Sequence, residues 1–300
     1  MTCLRNWTKR LSLASALVLA GIGSVAANDD TGQAQQPFRI GMVVGDTPVV
    51  EGLSAIQAMF SQALGLPVEV VAARDYEALI HGQIGGRLDY AIYSAAAYAA
   101  ASIRCECLEP VVSPVDSTGA IGLRSILLLR PGAPPERIAT GPRDSLAATL
   151  APMALWPGDG AAGGREALIQ TESLAEAETM FVKGGVDAFF GWMPAWPDGG
   201  QALVGGTPER LEAAGLEADD YEIGWRSDIL RYGPHAVRSD IAPERLDLLR
   251  RLLVEIGGRD PDMPAYLANH YGGGFVAAAQ GDYAAVIEAV AALSGRDAGE

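Results

Sequence analysis

The chain has 300 residues, of which 49% are hydrophobic, 7% aromatic and 20% charged. This composition excludes collagen-like and low-complexity chains and allows a sizeable buried core, as one large domain or as two lobes. Asp and Glu (37) outnumber Lys and Arg (22), which gives a formal net charge of −15. We expect no general affinity for nucleic acid or for an anionic membrane, because no basic run is present to neutralise phosphates.

The first 27 residues have the pattern of a secretory signal peptide. Arg5, Lys9 and Arg10 are basic, residues 11–22 are mainly apolar, and residues 25–27 are small, as at a cleavage site. The apolar run is shorter than the roughly 20 residues that a membrane span needs. Cleavage would remove three basic and no acidic side chains, leaving 19 against 37 and a net charge of −18. We therefore expect an unlipidated protein of the periplasm, with release from the cell as the alternative.

Cys105 and Cys107 follow this leader and are separated by one residue. Residues two apart in an extended chain have Cα atoms about 6.6 Å apart, at the upper edge of what a disulfide spans. A strained disulfide and two free thiols therefore both stay open. The three histidines, His81, His235 and His270, are scattered singletons. We accordingly predict no metal site and no cofactor.

From residue 38 onward, short apolar runs alternate with helical periodicity, which predicts an α/β fold with parallel strands. In the first half, we predict strands at 38–44, 68–72 and 88–93 and helices at 50–64, 75–79 and 95–102. Asp75 and Ser94 are placed to cap the second and third helices. A ligand crevice is expected where these strands end and the helices begin, since N–H groups at a helix start favour an anion.

The second half repeats this alternation after a Pro/Gly-rich connector at 131–135. We predict strands at 123–130, 138–140, 186–191 and 232–237, and helices beginning at Asp144 or Ser145 and spanning 173–181 and 243–256. Two such sets joined by apolar strands indicate two lobes that close on a ligand.

Several stretches carry a family resemblance. In the first half they are F-R-I-G-M at 38–42, L-G-L-P-V-E-V-V at 64–71, R-D-Y-E-A-L-I at 74–80 and G-R-L-D-Y-A-I-Y-S-A-A-A-Y at 86–98. In the second half they are R-S-I-L-L-L-R at 124–130, G-V-D-A-F-F at 185–190, W-R-S-D-I-L-R-Y-G-P at 225–234 and G-F-V-A at 274–277, with Asp282 and Tyr283 beyond. In this order they resemble the phosphate/phosphite/phosphonate type of ABC-importer substrate-binding protein, a type II periplasmic binding protein.

The resemblance implies a two-lobe α/β fold with a ligand cleft between the lobes. The expected division is 1–27 for the signal peptide, 37–122 for the first part of lobe 1, 123–233 for lobe 2, and 234–300 for the return to lobe 1 and the C-terminal helices. It also implies a monomer that captures a small oxyanion-bearing ligand, such as a phosphonate or phosphite, by lobe closure and presents it to an ABC permease in the inner membrane. The alternative function is a ligand-sensing periplasmic adaptor for a membrane signalling protein.

For lobe 1, the resemblance implies that Tyr76 and Tyr98 face the ligand. A phenol can donate a hydrogen bond to an oxyanion while its ring packs on an organic substituent; two core aromatics are the alternative interpretation. Ser94 stands where the family usually has Gly-Pro, so its hydroxyl is expected to cap a helix, contact ligand, or both. Thr47 is a weaker candidate donor.

For lobe 2, the sequence departs from the family's anion-binding D-S-T-S-G. Ser145 keeps a hydroxyl, whereas Leu146 and Ala147 have none, so backbone N–H groups would have to bind the anion. Arg165 stands where the family often has histidine, and its guanidinium suits phosphate, sulfonate or carboxylate, with a surface ion pair as the alternative. Trp192 is expected to form an apolar or cation-binding wall, or ordinary packing.

The sequence gives little support to an enzyme. It contains no G-x-S-x-G, H-E-x-x-H, P-loop or dinucleotide fingerprint. Its 37 carboxylates are expected to form a solvated acidic surface. A secreted hydrolase is the remaining alternative of that class.

Overall fold

The computed structural model describes residues 36–43, 50–132, 134–158, 164–197, 205–268 and 271–297. The strands are β1 (Phe38–Val43), β2 (Val68–Ala73), β3 (Tyr90–Ile92), β4 (Leu108–Asp116), β5 (Gly122–Leu129), β6 (Ile138–Thr140), β7 (Leu168–Gln170), β8 (Ala188–Ala195), β9 (Glu222–Arg226), β10 (Leu230–Arg231), β11 (His235–Arg238) and β12 (Gly272–Ala277). The α-helices are α1 (Val50–Leu64), α2 (Tyr76–Ile84), α3 (Ala95–Arg104), α4 (Ala151–Leu155), α5 (Leu174–Val182), α6 (Gly206–Ala213), α7 (Pro243–Arg259), α8 (Met263–Leu267) and α9 (Ala284–Asp297).

The described strands form two mixed sheets. Sheet A has the order β12-β4-β11-β3-β1-β2, and sheet B has the order β10-β5-β8-β6-β7, with β9 also paired to β5. In sheet A, β1 is parallel to β2 and β3, while β11 and β12 run antiparallel to their neighbours. In sheet B, β6 is parallel to β7 and β8. The predicted α/β fold with parallel strands is confirmed.

Helices cover both faces of sheet A. One face packs α1, α7 and α8 through an apolar cluster that includes Phe60 and Leu253. The other face packs α2, α3 and the segment before α9 through a cluster that includes Leu79, Tyr98 and Tyr283. Burial of both faces explains the nearly continuous apolar sequence of β1.

The predicted N-terminal caps of α2 and α3 are confirmed. Asp75 accepts a hydrogen bond from the Ala78 amide at 2.7 Å and caps α2, which continues to Ile84, beyond the predicted end at 79. The Ser94 hydroxyl accepts a hydrogen bond from the Ala97 amide at 3.2 Å and caps α3. The predicted helix 50–64 is confirmed as α1.

Several helices and strands differ from those predicted. The helix predicted from residue 144 or 145 is a π-helical stretch, Leu146–Leu150, followed by the short α4. The returning strand predicted at 232–237 begins at His235, because the residues before it cross from sheet B to sheet A. Strands β4, β7, β9, β10 and β12 were not predicted. Cys105 and Cys107 form a disulfide with Cα atoms 5.1 Å apart, which decides between the two open alternatives.

The chain crosses between the sheets after β4 and after β10. At the first crossing, the Asp116 Oδ1 atom accepts hydrogen bonds from the amides of Thr118 and Ala120 and from the Thr118 hydroxyl, at 2.7–2.9 Å. At the second crossing, a Cβ atom on Gly233 would lie 2.0 Å from the Tyr93 carbonyl oxygen, so glycine is required there. Hydrogen bonds therefore support the first crossing, and a close backbone contact defines the second.

Helix α9 contacts both halves of the molecule, packing against α3 and α4. A small apolar cluster joins them, with Ala99 from α3, Ala151 from α4, Leu230 from β10, and Val286 and Ala289 from α9. The sheets therefore share one apolar cluster in addition to their two connecting segments.

Candidate functional site

The carboxyl edge of sheet A carries two of the predicted ligand residues. Tyr76 is the first residue of α2, directly after β2, and its side chain stays 40% exposed. Ser94 follows β3 at the same edge, because β2 and β3 are both parallel to β1. The predicted residue Thr47 lies outside the described residues. This edge thus combines an exposed phenol with a capped helix start.

Tyr98 occupies a different environment. It is fully buried, and its ring centroid lies 4.8 Å from that of Tyr283 and 6.2 Å from that of Tyr93. Burial raises the pKa of the Tyr98 phenol, an effect that the Ser102 hydroxyl opposes. In this conformation Tyr98 belongs to the core between α3 and α9, as the alternative interpretation expected.

The corresponding edge of sheet B lies where β6 and β7 end. The Ser145 hydroxyl accepts a hydrogen bond from the Ala148 amide at 3.2 Å and caps the π-helical stretch. The residues that follow the two capping serines, Ala95 and Leu146, pack against the same apolar cluster. The two capped helix starts, one from each sheet, therefore converge on one region.

A polar cavity of about 380 Å³ adjoins the sheet B edge. It is lined by Pro142, Arg143, Gln170, Thr171 and Glu172. Sequence reasoning missed these residues because it did not predict β7; a helix start at Ser173 with three polar residues before it was the available signal.

Arg165 lies in a 3₁₀ turn directly before β7. Its guanidinium donates hydrogen bonds to the carbonyls of Met153 and Trp156, the latter at 2.7 Å, at the end of α4. It also lines a second cavity of about 530 Å³ with Thr140 and Thr149. The charge of Arg165 thus complements the carbonyl end of a helix, as cations do.

Trp192 lies in the middle of β8, next to α6. Its amide donates a hydrogen bond to the Thr207 hydroxyl at 3.0 Å, and the Arg210 guanidinium lies 5.3 Å from its ring centroid. Arg210 also pairs with Glu178 at 2.6 Å. Trp192 therefore contacts a cation of its own chain, and its contact with a ligand stays a prediction.

Three residues that the sequence did not single out join the sheet A edge. The Tyr232 hydroxyl donates to the Asp116 Oδ2 atom at 3.3 Å, and the rings of Tyr232 and Tyr271 lie 4.4 Å apart. Burial raises the pKa of the Tyr271 phenol, and Tyr76 adds a smaller electrostatic effect in the same direction. Partial burial opposes ionisation of Asp116, but hydrogen bonds from Thr118, Ala120 and Tyr232 outweigh it and lower the pKa of this carboxyl group.

Within the described ranges, no three His, Cys, Asp or Glu side chains are placed to hold a metal ion. None of the helices that the structure describes has the length and apolarity of a membrane span.

Comparison with known proteins decides the family. The family model described as "ABC transporter, phosphonate, periplasmic substrate-binding protein" matches residues 45–283. The chain belongs to this family. Its members bind substrates for ABC transporters and are not enzymes, so the predictions of a small ligand, a permease partner and a periplasmic binding protein agree with the family. A comparison with curated protein sequences gives no match.

Solved structures confirm the type II periplasmic-binding fold. XAC2383 from Xanthomonas citri, bound to chloride, is 16% identical with a TM-score of 0.54 over 87% of this chain and 99% of that one. PhnD1 from Prochlorococcus marinus, in complex with methylphosphonate, is 12% identical with a TM-score of 0.50 over 86% and 98%. Transferrin 1 from Manduca sexta is also 12% identical, with a TM-score of 0.53 over 86% of this chain and 47% of that one. Identities this low establish the fold alone.

Proposed function

We propose that the chain is the solute-binding component of an ABC importer that captures a small oxyanion-bearing ligand, a phosphonate, phosphite or similar, by lobe closure. The observation that carries the proposal is the convergence of the two serine-capped helix starts, after Ser94 and Ser145, on one apolar cluster. Exposed Tyr76 lies on the same edge as Ser94. An anion between the sheets would meet backbone N–H groups and hydroxyls from both sides.

The lobes in this proposal are residues 37–122 with 234–300, and residues 123–233. All strands of sheet A lie in the first set, and those of sheet B lie in the second apart from Gly122. We also propose that residues 1–27 are removed on export, which family membership supports.

The ligand of this chain need not be the phosphonate after which the family is named. Leu146 and Ala147 provide no hydroxyl at the sheet B helix start, and the Arg165 guanidinium donates to carbonyls of α4. Each missing charge-assisted hydrogen bond is worth about 1.5–3 kcal/mol, enough to change which oxyanion binds best. The proposal therefore rests on backbone donors and on the hydroxyls of Ser94, Ser145 and Tyr76.

The test is a thermal-shift screen of the purified protein against phosphate, phosphite, alkylphosphonates, sulfonates and carboxylates, because a ligand that binds the native state raises the melting temperature. We expect a rise with at least one phosphorus oxyanion. The Ser94→Gly and Ser145→Gly variants should lose that rise while keeping most helix stability, since glycine is a tolerated cap.

Ser61→Ala is the matched control, because the Ser61 hydroxyl donates to the Leu66 carbonyl at the far end of α1. It should keep the ligand-induced rise. Rises only with compounds that carry no oxyanion would contradict the proposed ligand class, and an absence of any rise would contradict the receptor function.

A further inference from the structure

Three tyrosines form an aromatic surface at the carboxyl edge of sheet A, which we call the tyrosine ledge: Tyr76, Tyr232 and Tyr271. The rings of Tyr232 and Tyr271 are in contact, with centroids 4.4 Å apart, and Tyr76 lies at the same edge, directly after β2. Tyr76 is exposed, and Tyr232 and Tyr271 are partly buried. The ledge is therefore accessible to a small molecule.

The topology places the ledge inside the proposed ligand site. Tyr76 follows β2 and Tyr271 precedes β12, the strands at opposite ends of sheet A. Strand β12 runs antiparallel to β4, so its first residue lies at the edge where β4 ends at Asp116. Tyr76 and Tyr271 therefore lie at the same edge of sheet A, although they adjoin strands at its opposite ends. Ser94 lies at this edge as well.

Asp116 places a negative charge beside the ledge, but both of its carboxylate oxygens already accept hydrogen bonds. Its Oδ1 atom accepts three hydrogen bonds from the crossing turn, and its Oδ2 atom accepts the Tyr232 hydroxyl. Because the Tyr232 proton is committed to this carboxylate, the phenol oxygen can only accept hydrogen bonds from a ligand. A phosphonate oxygen is also an acceptor, so this part of the site disfavours the anionic end of a ligand.

The aromatic rings of the ledge favour a cation whose charge is spread over several methyl groups. The faces of tyrosine rings attract cations, and an ammonium carrying methyl groups needs no hydrogen-bond acceptors when it leaves water. A primary ammonium has three donors that need partners, and Asp116, the carboxylate beside the ledge, already accepts four hydrogen bonds. Among the described residues, the cation–ring pairs are Arg130 with Phe181 and Arg210 with Trp192, both away from the ledge.

We propose that the tyrosine ledge, with Asp116 behind it, binds a methylated ammonium group, so that the ligand carries this cation beside its oxyanion. The inference rests on the proposed function, because the oxyanion is assigned to the helix starts at Ser94 and Ser145. It adds a second subsite in the same cleft and a ligand class, a small zwitterion with a methylated nitrogen.

The test measures the dissociation constants of four matched compounds by calorimetry: ethyl phosphate, phosphoethanolamine, phosphocholine and choline. We expect phosphocholine to bind about tenfold more tightly than ethyl phosphate or phosphoethanolamine, the range of a desolvated cation–ring contact. Tyr271→Leu and, separately, the exposed Tyr76→Leu should reduce that preference to about threefold or less. Tyr266→Leu, a partly buried tyrosine that packs against α1 at Gly52, is the control and should retain it.

The outcomes separate the two proposals. Ethyl phosphate binding as tightly as phosphocholine would overturn the ledge and leave the oxyanion receptor in place. Choline binding as tightly as phosphocholine would support the ledge and contradict the oxyanion site. If none of the four binds, the ledge proposal fails, whereas the oxyanion receptor is decided by the thermal-shift screen. A phosphocholine preference that survives both ledge substitutions also overturns the inference.

Discussion

The Tyr90 hydroxyl lies 2.6 Å from the Nδ1 atom of His235, and both side chains are buried in the centre of sheet A. Burial raises the pKa of Tyr90, so the phenol keeps its proton and donates a hydrogen bond to the imidazole. Burial also lowers the pKa of His235 to about 3, although a backbone hydrogen bond to Leu267 opposes the shift. The imidazole is therefore neutral in the folded protein at neutral pH.

This pair predicts a stability that declines with acid. The unfolded imidazole has a pKa near 6.5, above the folded value, so the unfolded state takes up a proton first as the pH falls. The contribution is fully present above pH 6.5 and is lost as the pH falls towards 3. We expect the free energy of unfolding in urea to drop by about 2 kcal/mol between pH 7.5 and 5.0.

His235→Gln keeps an acceptor for Tyr90 but does not titrate. Its free energy of unfolding should change far less over the same pH interval, although its absolute stability is lower. An equal pH dependence in both proteins would mean that His235 is not the source.

A methyl group on Gly233 should disturb the Ser94 edge. A Cβ there would lie 2.0 Å from the Tyr93 carbonyl oxygen and 2.7 Å from the Ser94 Cα atom. We expect Gly233→Ala to lower the free energy of unfolding by about 3 kcal/mol, as overpacking against backbone does, and to weaken ligand binding.

Gly258→Ala is the control: its Cβ would meet nothing within 4 Å. Placed in α7, it should stabilise by up to about 1 kcal/mol. Similar melting temperatures for the two variants would argue against a close contact at Gly233.

The carboxylate of Asp116 should stabilise the first crossing. Asp116→Asn replaces one acceptor oxygen by an amide, so at least one of the four hydrogen bonds described above is lost. We expect a loss of about 1–3 kcal/mol in the free energy of unfolding. Asp219→Asn, at an exposed position in a 3₁₀ turn, should change it by less than about 0.5 kcal/mol. Equal losses would show that the crossing does not depend on Asp116.

One substitution separates the structural role of Arg165 at the end of α4 from its predicted role in binding a ligand. Arg165→Met keeps the length of the side chain but removes the hydrogen bonds to Met153 and Trp156, so we expect a loss of about 1–3 kcal/mol in stability. Calorimetry on the same variant tests the predicted ligand contact. A large fall in anion affinity in the folded variant keeps Arg165 in the site; unaltered affinity leaves it as a cap of α4.

The sequence predicted the elements that depend on local chemistry. Helices α1 and α3 and the caps Asp75 and Ser94 follow from apolar periodicity and from short polar side chains at the right position. Family resemblance extended this to the whole fold, since the order of the matching stretches carries the topology.

Strand β4 could not be predicted because it contains Pro110 and Pro114, residues that argue against an inner strand. The structure accommodates both beside irregularities in the register, where β11 and β12 shift against β4. Such pairings are decided by neighbouring strands, which local sequence does not reveal.

The same reason limits prediction of the site. Tyr76 was predicted from the family resemblance, whereas Tyr232 and Tyr271 have no local signal and reach the same edge only through the order of the strands. Tyr98 matched the family pattern but is buried, because the Ala-rich α3 turns that side towards Tyr283.

The cluster that α9 shares with both sheets has a mechanical consequence. Three of its five buried members are alanines from α-helices, Ala99, Ala151 and Ala289, and the other two are Leu230 and Val286. Short side chains interlock little, so helices packed through them can slide by a small angle. In the proposed lobe closure, helix α9 is therefore the pivot about which the two halves turn, and the balance between open and closed forms is left to whatever occupies the space between them.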